Sequence, residues 1–252
     1  MRFGIIAFLL AAVVMPADDL PDWVLALSKI KRHAREDLQR IPNYICLETV
    51  ERFEAYPREG LRKRDTLRLQ VAVVDGQELM APAEAGRLDT DNPDRYSRGG
   101  TLGTGAFSAF AANLFVNDNS RTTGWGREDT GGSPVWRFDY IISERQSGFR
   151  LSTLGGEAVV GERGSFWADA KTLDIQSIEA EATDIPVRLG LRGVFVRIDY
   201  HRVTMGKTDL LMPKTAEMVT LSYNGERRQN VITFSGCREF HSESVIKFDT
   251  DK

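Results

Sequence analysis

The residues best equipped for chemistry lie in a few short stretches. Ser244-Val245-Ile246-Lys247 has the S-x-x-K spacing that lets a lysine activate a serine nucleophile. Gly206-Lys207-Thr208 carries the ending of a phosphate loop. Gly99 to Gly105 supplies a glycine cluster running straight into "AFSAFAANLF". In "IEAEATD", Glu179 and Glu181 alternate with Ile178, Ala180 and Ala182, so one strand face would present paired carboxylates suited to calcium or sugar chemistry. His33, His201 and His241 are the imidazoles, and Cys46 and Cys237 the thiols.

Each stretch lacks the companions its chemistry needs. A phosphate loop takes G-x-x-x-x-G-K-[ST] behind a buried strand, so that backbone N–H groups and the lysine cradle the phosphates. Gly99 to Gly105 has no lysine, and His201 stands where Gly206-Lys207-Thr208 would need its first glycine. A dinucleotide fingerprint also fails, because Ser108 follows Gly103-Thr104-Gly105 where glycine is required. No G-x-S-x-G elbow is present, and S-x-x-K falls in a strand-like tail without its partner motifs. The histidines fall on a polar helix face, on the polar side of a strand and near the terminus. Alternating carboxylates are what a solvated strand face produces. The expectation is a protein without catalytic residues, metal or cofactor.

Composition narrows the class further. Apolar residues make up 42% and charged residues 27%, ordinary globular usage. The net charge of −3 is spread along the chain. Nucleic-acid binding would need clustered Lys and Arg, and Arg62-Lys63-Arg64 is only a surface turn leading into a strand. Nucleic acid is therefore not an expected partner.

At the N-terminus, Arg2, the apolar run Phe3 to Met15 and Pro16-Ala17 before Asp18-Asp19 describe a signal peptide over residues 1–17. The run is shorter than the ~20 apolar residues that span a bilayer. A periplasmic or secreted protein follows, with no cysteine placed for lipid attachment. In an oxidising compartment Cys46 and Cys237 are most simply one disulfide, with two buried thiols as the other reading.

Residues 18–252 read as one domain, mainly β (α+β). Val24, Leu27, Ile30, Ala34, Leu38 and Ile41 recur at helical spacing, predicting an amphipathic helix over 22–41 that Pro42 stops. From 43 to 248 alternation dominates: Trp136, Phe138 and Tyr140 against Arg137 and Asp139, and Val194, Val196, Ile198 and Tyr200 against Arg197 and Asp199. Clean alternation with tight turns at Met205-Gly206-Lys207, Asn224-Gly225 and Asp169 to Thr172 means roughly eight to eleven antiparallel strands. The apolar parity shifts between Ile175 and Ile178, which predicts a bulge or a bend in that strand.

A polar insertion at about 81–117 ends in a second helix with Phe107, Phe110 and Leu114 on one face. That helix is either a plain core helix or a cover hinged on the glycines. The resulting picture is a strongly curved antiparallel sheet, a half-barrel, with one N-terminal and one inserted helix covering the concave face. Phe107, Phe110, Leu114, Trp136, Phe138 and Trp167 are the expected wall or lid residues of an apolar cleft.

Four stretches carry a resemblance: "IPNYICLETVERF", "GAFSAFAANLF", "FRLSTLGGEAVVGERGSFWADAKTLDIQSIEAEATDIP" and "DYHRVTMGKTDLLMPKTAEM". Together they resemble an exported acidobacterial protein family of unknown function. The helix-then-sheet order is similar to periplasmic proteins of the LolA, LolB and RseB type, in which a half-barrel holds acyl chains under helices. That resemblance implies a non-enzymatic carrier of a hydrophobic ligand, either a lipid, an acyl chain or a lipidated protein, with peripheral contact to envelope membranes. The alternative is an envelope interaction module whose core is plugged by its helices. A glycan or ester hydrolase is the third reading.

Overall fold

The computed structural model describes residues 20–74, 77–85 and 110–239. The expected signal segment, the glycine cluster, Phe107, His241 and the S-x-x-K stretch lie outside the described residues.

Helix α1 spans Asp22–Arg40, with Asp22 in its first turn and Arg40 in its last, as the helix dipole favours. Pro21 precedes it in extended conformation, and its carbonyl accepts from Val24 N at 2.9 Å. Ile41 is extended because Pro42 follows, and there the helix ends. Ala26, Ile30, Ala34 and Asp37 are its buried residues, with Leu27 and Leu38 partly buried beside them. The buried stripe is thus rotated toward Asp37, which the apolar spacing alone had left on the polar side.

Twelve strands follow among the described residues. They are β1 (Tyr44–Ala55), β2 (Arg62–Val74), β3 (Gln77–Pro82), β4 (Arg121–Thr130), β5 (Ser133–Ile142), β6 (Arg150–Thr153), β7 (Gly156–Val159), β8 (Gly161–Asp169), β9 (Ile175–Thr183), β10 (Leu191–Met205), β11 (Thr208–Ser222) and β12 (Arg227–Glu239). Ten form one antiparallel sheet in the order β3-β2-β1-β12-β11-β10-β9-β8-β5-β4, and β6-β7 is a separate hairpin. The sheet stays open between its edges β3 and β4, making a half-barrel. The β6-β7 pair escaped the sequence reading because four-residue strands are too short to show alternation.

The turns form where glycine permits them: Gly206 and Gly225 have φ of 61° and 86°. Between β8 and β9 the Asp169 carboxylate accepts from the backbone of Lys171 and Thr172 at 2.7 and 2.8 Å. The predicted bulge is present, because Trp167 faces Ser177 while Ala168 faces Ile175. A second irregularity sits in the middle of the sheet. Ile45 pairs with Arg238 and Leu47 with Ser235, leaving Gly236 and Cys237 opposite Cys46. Gly236 takes φ of 60°, and the Cys46–Cys237 disulfide closes this seam across 191 residues of sequence.

The concave face is occupied. Ile30 and Ala34 of α1, with Ala111, Leu114 and Phe115, pack on Trp136, Phe138, Tyr140, Phe166 and Ile178. Beside them Phe110, Phe149 and Leu151 cover Ala180, Ala182, Val194 and Val196.

Candidate functional site

The segment 110–116 is what remains in view of the predicted second helix. It starts as α-helix and becomes a π-helical turn over Ala112–Val116, a geometry enriched at functional positions. It is tied to α1: Arg35 donates to the Phe115 carbonyl at 3.0 Å, and Lys31 donates to Asp118 and Ser120 at 2.6 and 3.2 Å. The two elements therefore make one plug, which meets the sheet through apolar side chains.

Of the expected wall residues, Leu114, Trp136 and Phe138 come together in one buried cluster. Phe110 is buried in the neighbouring cluster, edge-on to Phe149 with centroids 4.9 Å apart. Trp167 is not with them. It alternates with inward-facing Phe166 and Ala168 and so stands on the outer face. There its Nε1 donates to Glu128 at 2.8 Å, and the Arg137 guanidinium lies 5.7 Å from its ring. The Phe166-Trp167 pair offers an aromatic to either face, and the register of β8 decides which turns inward.

An aromatic file that sequence spacing did not show connects the interior to solvent. Phe115 meets Phe166 at 5.1 Å, Phe166 stacks on Phe138 at 5.4 Å, and Phe138 stacks on Trp136 at 6.0 Å. Trp136 leads to Trp125 at 6.1 Å, and Trp125 stacks on Trp23 of α1 at 5.8 Å. Trp125 is 51% exposed while Trp136 is buried, so the file runs from the rim of edge strand β4 into the core. Arg127 lies 4.2 Å above the Trp136 ring at this mouth.

The other end of the plug is latched by charge. Arg202 of β10 donates to Asp37 of α1 at 2.8 Å and to Asp174 of the β8–β9 turn, and His33 lies 2.9 Å from Asp174. Arg40 also pairs with Asp37. Burial opposes ionisation of Asp174, yet hydrogen bonds from Arg202 and His33 hold its carboxyl below the ordinary range. Arg202 is raised in turn, first by its hydrogen bond to Asp174. His33, Asp37 and Asp174 place ligand atoms within 4.8 Å of one another, close enough for a divalent cation. The Arg202 guanidinium already supplies the positive charge there, so the set acts as an ionic latch. These residues come from distant segments, which is why no local spacing announced them.

Asp37 is only 1% exposed, and removing one partner of a buried ion pair strands the other charge. Arg202→Met is therefore expected to cost about 2 kcal/mol in urea unfolding, less than a complete loss because Arg40 remains. A variant as stable as the wild type would show that the latch does not hold α1.

On the outer face a groove of about 500 Å³ crosses β5, β8, β9 and β10, and Glu179 and Glu181 do line it. Each is clamped: Glu179 accepts from Arg197 at 2.6 Å and Glu181 from Arg163 at 2.8 Å. Asp139 accepts from Ser165 at 2.6 Å and pairs with Arg137 at 2.8 Å. The groove is a ladder of ion pairs.

Comparison with known proteins finds likeness in architecture. No family model matches the chain, and no curated protein matches it in sequence. Among solved structures it is similar to a LolA superfamily protein from Nitrosomonas europaea, at 11% identity. That match covers 86% of this chain and 94% of that one, with a TM-score of 0.44. It is also similar to a putative outer membrane lipoprotein-sorting protein domain from Vibrio parahaemolyticus at 10% identity. There 88% of this chain and 93% of that one are covered, with a TM-score of 0.40. The ligand therefore has to be argued from this chain's own residues.

Proposed function

We propose that this protein is an extracytoplasmic, non-enzymatic carrier that holds a hydrophobic ligand against the concave face of its half-barrel after the plug has moved aside. The observation that carries this reading is the aromatic file on the sheet from half-exposed Trp125 through Trp136 and Phe138 to buried Phe166. It gives an apolar chain continuous contact from the rim inward. Displacing the plug then exchanges one apolar surface for another, at little net cost in buried area. The disulfide supports an oxidising compartment. Phe107, outside the described residues, is proposed as part of the same cover.

One observation favours a second reading. In the closed form the void between α1, Phe115 and Ile178 is only about 10 Å³, so the core is filled. A filled core is what an envelope interaction module needs.

One experiment separates the two. The natively purified protein is extracted with organic solvent for mass spectrometry, and the stripped protein is titrated with a dansyl-labelled fatty acid. Stoichiometric extracted lipid and saturable dansyl binding are expected of a carrier. An empty extract together with no dansyl binding overturns the carrier and leaves the module.

A further inference from the structure

Among the described residues, one buried carboxyl of the concave face has no hydrogen-bond partner on either oxygen. Glu162 lies on β8, opposite Ile142 of β5 and Ala182 of β9. The alternation that turns Phe166 and Ala168 inward turns Glu162 inward too. Its side chain is 0% exposed, and neither carboxyl oxygen has a hydrogen-bond partner. The nearby hydroxyl of Tyr140 is committed elsewhere, donating to the Glu179 carbonyl at 3.1 Å. Burial raises the Glu162 carboxyl from 4.5 to about 7.

A buried carboxyl without a donor is costly, and an apolar residue would suit the packing against Ile142 and Ala182 better. On the outer face Asp139, Glu179 and Glu181 each pair with an arginine, whereas Glu162 does not. The inner face around Glu162 is lined by small side chains, Ala180 and Ala182 on β9 and Gly164 on β8. Phe110, Phe149 and Leu151 cover that patch, so its ceiling includes part of the plug segment. A ligand entering beneath it meets an apolar wall with a single acidic fixture, the pattern of a site that grips a chain by area and orients it by one polar contact.

We propose that Glu162 is the head-group fixture of the concave site and that the ligand is an apolar chain bearing an amine. The amine arrives as an ammonium, and its N–H groups donate to the Glu162 carboxylate. The proton that the buried carboxyl holds in the ligand-free protein leaves to solvent as the ion pair forms. The inference rests on the carrier reading above, and it adds the chemistry of the head group.

Intrinsic tryptophan fluorescence, reporting from Trp136, can follow titration with dodecylamine and with dodecanol at neutral pH. Dodecylamine is expected to bind at least about tenfold tighter than dodecanol to the wild type. Glu162→Gln, nearly identical in shape, is expected to weaken dodecylamine about tenfold, while Glu181→Gln on the outer face leaves it unchanged. Circular dichroism on each variant confirms that the sheet is retained. Equal affinity for the two chains, or dodecylamine binding untouched in Glu162→Gln, overturns the head-group assignment and leaves the apolar carrier standing. Failure of both chains to bind the wild type overturns both readings.

Discussion

Replacing Cys46 and Cys237 together by alanine is expected to lower stability by about 5 kcal/mol, the chain-entropy estimate for so long a loop. The disulfide joins β1 to β12 at the seam, and 191 residues separate the two cysteines. Without the link the unfolded ensemble gains all the freedom of that loop, whereas the folded sheet keeps its β1–β12 ladder. The loss should therefore appear in the equilibrium midpoint of urea unfolding, and the wild type in reductant should fall to the same midpoint. Cys46 is also buried beside Tyr44, Met205, Leu210 and Met212, so alanine there adds a small packing loss. A change below about 1 kcal/mol would mean that the unfolded chain already keeps the two ends together.

The second large effect concerns pH. The folded-state value of Glu162 is raised, so the folded protein binds this proton more tightly than the unfolded chain does. Its contribution is fully present below about pH 4.5 and is lost as pH rises to about 7, after which it stays flat. The shift from 4.5 to about 7 corresponds to about 3 kcal/mol. Burial also pushes the neighbouring Tyr140 well above its ordinary value, so its phenol stays protonated throughout this window. Glu162→Leu removes the carboxyl and fills the same space. Its stability relative to the wild type is expected to rise by about 3 kcal/mol between pH 4.5 and pH 7.5. Parallel stability profiles across that range would show that Glu162 is hydrated in solution despite its packing.

Much of the architecture was legible because the physics is local. Strict alternation along 136–140 and 194–200 assigns inner and outer faces without reference to any other strand. The parity break at Ile175 to Ile178 announces its bulge in the same way. Helix α1 was bounded by Pro21 and Pro42. The same periodicities put Trp136, Phe138 and Leu114 on apolar faces, and all three are buried in one cluster. What stayed hidden depends on register between distant segments. The latch needs α1, the β8–β9 turn and β10 at once. Trp167 was misplaced by a neighbouring aromatic that competes for the inner face. Glu162 sits in "GERG", where a glutamate between glycines reads as the solvated start of a strand. Only the pairing with Ile142 and Ala182 reveals its burial.

The place of β1 beside β12 also bears on how the chain folds. The strands from β8 through β12 pair with near neighbours in sequence and can zip as they emerge, but β1 must wait for the last described strand. Until then β1 and β2 present an unpaired edge rich in Ile, Val and Leu, a template for pairing with other chains. Contacts that bridge nearly the whole sequence are formed late and slowly. The seam is therefore the final step of assembly, and a nascent molecule needs protection from its neighbours until that step is complete.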